Sequence, residues 1–179
     1  MKGRLKLILI RHTKWDKKKD KPLLSFEKEI KNVLSKLKNE KFDVVYSSSA
    51  KRCLALAKKI SKEFKKLLKV SNLLRERDEG IYKNMPNHDE LIEKEVKRLG
   101  IHYVEFKPKN GESVLDVLER TKKFLKRLKE KRVVIVTHYT NILCFYSLAK
   151  RVDIKRVWDE NLIDPNYGEI IKICFRKNF

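Results

Sequence analysis

The chain has 179 residues, of which 41% are hydrophobic and 39% charged, and its 45 Lys and Arg against 24 Asp and Glu give a formal charge of +21. A chain of this length buries about 70% of the surface that its unfolded form exposes, so one domain over residues 1–179 is expected to hold its own core without staples. Lys or Arg interrupts every apolar run, which excludes the roughly 20 uninterrupted apolar residues of a membrane span. The short strand after Met1-Lys2-Gly3-Arg4 does not suit a secretion signal, and cytoplasmic residence is the expectation.

The first apolar run, Leu5 to Ile10, reads as a buried strand and stops at Arg11-His12-Thr13. A charged loop follows, densest from Lys14 to Lys21 and containing Pro22. Phe26, Ile30, Val33, Leu34 and Leu37 then recur at helical spacing, with Ser25 placed to cap the start. Val44 to Ser47 is a short strand. From Ala50 a second long helix carries Leu54, Ala57, Ile60, Phe64, Leu67 and Leu68, with Arg52 in its first turn. Residues 73–85 are loop-like, punctuated by Gly80 and Pro86, and His88 to Leu99 is helical with Gly100 as its stop. Ser113 and Asp116 form a capping box that opens a helix with Val114, Val117, Leu118, Thr121, Phe124, Leu125 and Leu128 as its buried stripe. The strand Arg132 to Thr137 ends at His138. A helix bearing Ile142, Leu143, Phe145, Tyr146 and Ala149 follows, and Glu169 to Phe175 closes the chain as a strand near a sheet edge. The order β-α-β-α-α-α-β-α-β predicts an α/β fold, a three-layer α/β/α sandwich on a largely parallel sheet.

Cys53, Cys144 and Cys174 are odd in number, widely separated and set among apolar neighbours, so all three are expected in the core as free thiols. The positive charge suits nucleic acid, a membrane surface or an anionic substrate. Lys residues spread over every predicted helix beside Glu, as in Glu27-Lys28-Glu29, look like solvated helix faces. Abundant Lys and Glu with only five Gly also fit a heat-adapted, thermostable protein. Interleaved aromatics and a nucleic-acid-binding module are missing from the sequence, which argues against nucleic acid as the partner. His88 and His102 have no partners at metal-ligand spacing and no glycine-rich phosphate loop occurs, so no metal or other cofactor is expected. Trp15 is placed at a pocket rim or in the core, and Trp158 packing the C-terminal segment.

Two strands thus each deliver a histidine, His12 and His138, to the edge where open α/β sheets bind ligands, and the chain reads as an enzyme. Taken with Tyr46-Ser47-Ser48-Ser49-Ala50-Lys51-Arg52, Leu74-Arg75-Glu76-Arg77-Asp78-Glu79-Gly80 and Gly111-Glu112-Ser113, these segments resemble, in order and spacing, the histidine phosphatase superfamily, the phosphoglycerate-mutase-like proteins. The resemblance implies that Arg11 binds phosphate, that His12 is the nucleophile, and that Arg52 is the arginine of an S-S-P-x-x-R element with Ser49 in place of proline. It makes His138 the second histidine, protonated and opposite the first. Phosphoryl transfer concentrates charge on three equatorial oxygens, so positioned cations such as Arg11, Arg52 and His138 do most of the work. Glu76 corresponds to the general acid of an E-R-x-x-G pattern, with Asp78 and Glu79 as rivals, and Arg77 to a residue that contacts substrate.

Besides Ser49, three positions depart from the pattern. Thr13 and Tyr139 replace the glycines after the two histidines, which is expected to crowd the pocket, and where an asparagine helps hold phosphate the chain has Asp16, Lys17 or Lys18. The expected function is a phosphatase acting on a small phosphorylated substrate through phosphohistidine. A phosphoglycerate mutase, or an impaired member binding anions or nucleic acid, stands as the alternative. The sequence does not name the phosphoester or the oligomeric state.

Overall fold

A computed structural model describes residues 4–16 and 19–175. Five strands make the central sheet in the order β5-β4-β6-β1-β7: β1 (Leu5–Arg11), β4 (Val44–Ser48), β5 (Leu67–Ser71), β6 (Arg132–Thr137) and β7 (Ile170–Phe175). All neighbours are parallel except β7, which closes one edge antiparallel to β1. A two-residue ladder, β2 (Trp15–Asp16) with β3 (Lys21–Pro22), stands apart.

Alternation along the strands feeds two cores. Ile8, Ile10, Val45, Val134 and Val136 point to one face and pack on α1 (Phe26–Leu37) and α2 (Lys51–Phe64). Leu7, Leu9, Val44, Val133 and Ile135 point to the other, under α4 (Val114–Arg127) and α5 (Tyr139–Lys150). Because β1 and β6 are covered on both faces, they read as nearly continuous apolar runs. The layers are α/β/α. A third, smaller cluster joins α4 and α5 to α6 (Ile154–Asp159), while α3 (His88–Leu99) lies farther out and buries only Ile92.

Helix α2 ends at Phe64, four residues before the expected end, because Lys65 turns left-handed at φ 52° and Leu67–Ser71 runs back as β5 beside β4. Phe64, Leu67 and Leu68 keep helical spacing across that break, and the usual glycine is missing there, so periodicity could not reveal it. Residues 154–159, unassigned from sequence, form α6, capped by the Asp153 carboxylate accepting from Lys155 N at 2.7 Å. Ser25 stands at the start of α1 but does not cap it; its hydroxyl donates to Glu29 at 2.6 Å. The Ser113/Asp116 capping box and the Gly100 stop at φ 64° are as expected. Cys174 departs from its expected place: β7 is an edge strand, and the residue faces solvent while Cys53 and Cys144 are buried. No helix of the described residues is long and apolar enough to cross a membrane.

Candidate active site

The register between β1 and β6 builds the site. Arg11 pairs with Thr137, so His12 and His138, one residue later in each strand, leave the sheet side by side, and His12 N donates to Thr137 O at 3.1 Å. Their ring centroids lie 5.1 Å apart, edge to face. On the other side of β6, β4 ends in Ser48, and the chain turns at once into α2, which carries Arg52 in its first turn.

Hydrogen bonds assign the tautomers. His12 Nδ1 is 2.7 Å from Thr13 O, and a carbonyl only accepts, so the proton sits on Nδ1 and the lone pair on Nε2. Arg52 Nε donates to that lone pair at 3.0 Å. Arg52 Nη2 also donates to His138 Nδ1 at 3.2 Å, which leaves the His138 proton on Nε2, facing Ser48 Oγ at 2.9 Å and Cys53 Sγ at 3.4 Å. One guanidinium bridges both histidines.

His138 is wholly buried, and this burial, with Arg52 and His12 close by, holds it well below the ordinary imidazole range. The fold therefore disfavours the proton expected on His138, because a cation there would be desolvated beside a guanidinium. Burial likewise pushes the Cys53 thiol up and keeps it protonated.

Arg11 lies between two aromatic rings, its guanidinium carbon 4.0 Å from the Tyr167 centroid and 5.0 Å from that of Tyr139, and Nη1 donates to Pro165 O at 2.8 Å. Thr13 is fully buried, and Tyr139 packs on Arg11. Of the residues at the position of the expected asparagine, Lys17 and Lys18 lie outside the described residues, and Asp16 accepts from Lys19 N at 2.9 Å. Trp15 donates to Asp20, itself paired with Lys51 at the start of α2.

Glu76 sits on a loop that is pinned at almost every residue. Arg120 donates to Leu73 O at 2.7 Å, Thr137 Oγ1 to Leu74 O at 2.9 Å, and the Asn141 carboxamide donates to Arg75 O at 2.6 Å while accepting from Arg120. Glu112 takes Arg120 through both carboxylate oxygens and accepts from Asp78 N, while Glu112 N donates to Asp78 O. Gly80 and Gly111 permit this closeness, since a Cβ on Gly80 would stand 2.1 Å from Lys109 O and one on Gly111 2.6 Å from Asp78 O. The Gly-Glu-Ser segment is thus more than a helix start.

The Glu76 carboxylate accepts from Arg77 N at 2.9 Å. Its rivals are engaged elsewhere: Asp78 Oδ1 closes the turn onto Gly80 N, and Glu79 stands beside His88. His88 is therefore not without partners, since Glu79, His88 and Asp89 offer ligand atoms within 4.8 Å of one another, and His102 meets Asp159 at 3.0 Å. Those contacts come from tertiary folding, which spacing could not reveal. Arg77 is buried, its Nη2 donating to Tyr103 OH at 2.8 Å, and Tyr103 stacks on Trp158.

The structure therefore gathers Arg11, His12, Arg52 and His138 at one sheet edge, with the Glu76 loop tied to the end of β6. Sequence reasoning missed Tyr167, Cys53, Asn141 and the Pro165 carbonyl. Asn141 carried a signal, a polar residue in the apolar helix start, three positions after His138. A backbone carbonyl carries none.

A family model, histidine phosphatase superfamily (branch 1), matches residues 7–178. Phosphoserine phosphatase 1 of Hydrogenobacter thermophilus is 29% identical over 191 aligned positions, covering 93% of this chain and 86% of the relative. Among solved structures, mycobacterial glucosyl-3-phosphoglycerate phosphatase superposes with a TM-score of 0.78 at 18% identity, covering 94% of this chain and 89% of that one. For alpha-ribazole phosphatase of Shigella flexneri the values are 0.77 and 17%, with coverage of 97% and 95%. The structural likenesses establish a shared fold.

Proposed function

The chain belongs to branch 1 of the histidine phosphatase superfamily, and we propose that it is a phosphatase that hydrolyses small phosphomonoesters through phosphohistidine on His12, without a metal. The observation that carries this reading is the His12 tautomer: Nδ1–H is tied to Thr13 O, and the Nε2 lone pair points at the Arg52 guanidinium, where a phosphoryl oxygen would bind. We read the whole chain as one such domain, because its sheet draws strands from both ends of the sequence.

In the first step His12 Nε2 attacks phosphorus as the bond to the leaving oxygen breaks, and Glu76 gives that oxygen its proton. Water then attacks the phosphohistidine, Glu76 takes a proton from it, and inorganic phosphate leaves His12 as it began. Arg11 and Arg52 offset the charge on the equatorial oxygens through planar donor pairs, which is the work that a divalent ion would otherwise do. The incoming dianion draws Arg52 off the lone pair, and its charge favours a proton on His138 against the burial that disfavours one. Glu76 is favoured over Asp78 and Glu79 because its carboxylate is not tied to a turn or to His88.

Arg77 is proposed to contact the substrate. It is 8% exposed, has no carboxylate partner among the described residues, and leaves Nη1 without a hydrogen bond. An unpaired buried cation costs several kcal/mol, of order 3–5 when a pair is broken, and a second anionic group on the substrate would offset this. The relatives named for phosphoserine and glucosyl-3-phosphoglycerate act on compounds with a carboxylate beside the phosphoester, and this chain is assigned substrates of that class. Three free cysteines support a cytoplasmic setting.

Hydrolysis of p-nitrophenyl phosphate in excess EDTA, from acid to mildly alkaline pH, tests the reading, with wild type and His12→Ala side by side. Activity that survives the chelator and is lost in the variant is expected, together with an acid-quenched phosphoenzyme labelled at His12. Activity retained by His12→Ala, or label on another residue, overturns it. Interconversion of 3- and 2-phosphoglycerate in place of hydrolysis would mark a mutase.

A further inference from the structure

The two arginines of the site are held in different ways. Arg52 is fixed by the ring nitrogens of His12 and His138. Arg11 has no ion pair with a carboxylate among the described residues, and its Nε is buried without a hydrogen-bond partner. What holds Arg11 is two aromatic faces, Tyr167 at 4.0 Å and Tyr139 at 5.0 Å, with the Pro165 carbonyl on one edge.

This difference has chemical content. A carboxylate would fix a guanidinium and also cancel its charge, whereas a ring face fixes its plane through the quadrupole and leaves the full positive charge available to a phosphoryl oxygen. Both rings are themselves anchored. Tyr139 opens α5 immediately after His138 and packs against the cluster that joins α4, α5 and α6. Tyr167 precedes Gly168, whose N–H donates to Arg11 O at 3.0 Å, and the turn is closed by Glu169 N donating to Asn166 O and Asn166 N to Glu169 Oε2. Gly168 is left-handed at φ 69°, which suits glycine. The Tyr167 ring also lies 5.4 Å from the His12 ring, so one side chain touches both the cation and the nucleophile.

We propose that Tyr139 and Tyr167 are positioning residues that clamp the Arg11 guanidinium in a fixed plane beside His12 with its charge undiminished, so that the Arg11 side of the phosphoryl site is formed before substrate arrives. This rests on the reading that Arg11 holds the phosphoryl group. It also explains a bulky Tyr139 where the resembled pattern has glycine: the ring is turned to Arg11.

The test is a double-mutant cycle read by inhibition with inorganic phosphate and by kcat and KM for p-nitrophenyl phosphate in the full chain. Tyr167→Leu and Tyr139→Leu are each expected to weaken phosphate binding about three- to tenfold, between the ranges of an exposed and a desolvated cation–π contact. Tyr167→Phe and Tyr139→Phe, which keep the ring, should rescue it to about twofold. In an Arg11→Ala background the Leu substitutions should add nothing, a result that a merely structural role would not give. Unchanged phosphate affinity in Tyr167→Leu, or an equal further loss in the Arg11→Ala background, overturns the proposal while Arg11→Ala itself still weakens phosphate. If Arg11→Ala leaves phosphate affinity unchanged, the parent reading of Arg11 falls instead. Should Tyr139→Leu fail to fold, the Tyr167 cycle decides, since that side chain is 41% exposed and its loss leaves the core intact.

Discussion

Glu112→Ala probes the link between the loop clamp and catalysis. Glu112 meets Arg120 through two bonds of 2.9 and 3.2 Å and accepts from Asp78 N at 3.1 Å, with the Arg120 and Glu112 side chains 12% and 29% exposed. Hydrogen bonds to charged groups contribute about 1.5–3 kcal/mol each where buried, and with a discount for exposure the expected total loss is about 2–3 kcal/mol. In a chain of this length each kcal/mol moves the melting point by about 2–4 °C, so a fall of about 5–10 °C is expected by calorimetry. The released loop carries Glu76, and a displacement of about 1 Å at a reacting group can cost up to a hundredfold, so kcat should fall at least about tenfold with KM less affected. Glu112→Gln keeps one acceptor oxygen, enough for Asp78 N and one Arg120 bond, and should lose about half as much stability. An unchanged melting point in Glu112→Ala would refute the clamp. A lowered melting point with an unchanged kcat would refute its tie to Glu76.

Three further outcomes follow from the same geometry. Because His138 in the fold is held well below its ordinary value of 6.5, the unfolded chain takes the proton first on acidification. Stability should therefore fall as pH drops below 6.5 toward the folded value. His138→Gln should flatten that slope in denaturant titrations at stepped pH, and parallel slopes would contradict the assignment. Gly80→Ala should cost more than about 2 kcal/mol, the left-handed penalty of about 1–2 kcal/mol plus a Cβ driven against the Lys109 carbonyl. Gly100→Ala, at φ 64° with nothing within 4 Å of the added carbon, should cost only about 1 kcal/mol; equal losses in urea would refute the close-approach argument. Thr137→Val should cost about 1 kcal/mol by freeing Leu74 O, and an unchanged urea midpoint would refute it.

How much was legible depended on how local the cause was. β1, β6 and the capping box at Ser113 declare themselves through apolar runs and adjacent residues, and the two histidines follow from where those runs stop. The end of α2 was hidden because Lys65 adopts the left-handed turn that glycine usually takes, and no residue type announced it. The pull that keeps a proton off His138 could not be read either, since it depends on Arg52 and on burial contributed from β4 and α2. Tyr167 lies far along the chain from Arg11 in a turn with no periodicity, and only folding brings its ring onto the guanidinium. The misplaced Cys174 shows the converse: apolar sequence neighbours on an edge strand do not decide which way the residue between them faces.

The hydrogen bond from Arg52 to His12 Nε2 has a consequence for the enzyme at rest. Imidazole lone pairs attract soft transition ions and acylating agents, and a ring whose lone pair is already occupied by a guanidinium N–H resists both. A cation approaching it would also meet the charge of Arg52, whereas an oxyanion is drawn to that charge and frees the lone pair as it binds. Charge thus decides the competition for that lone pair, against cations and in favour of anions.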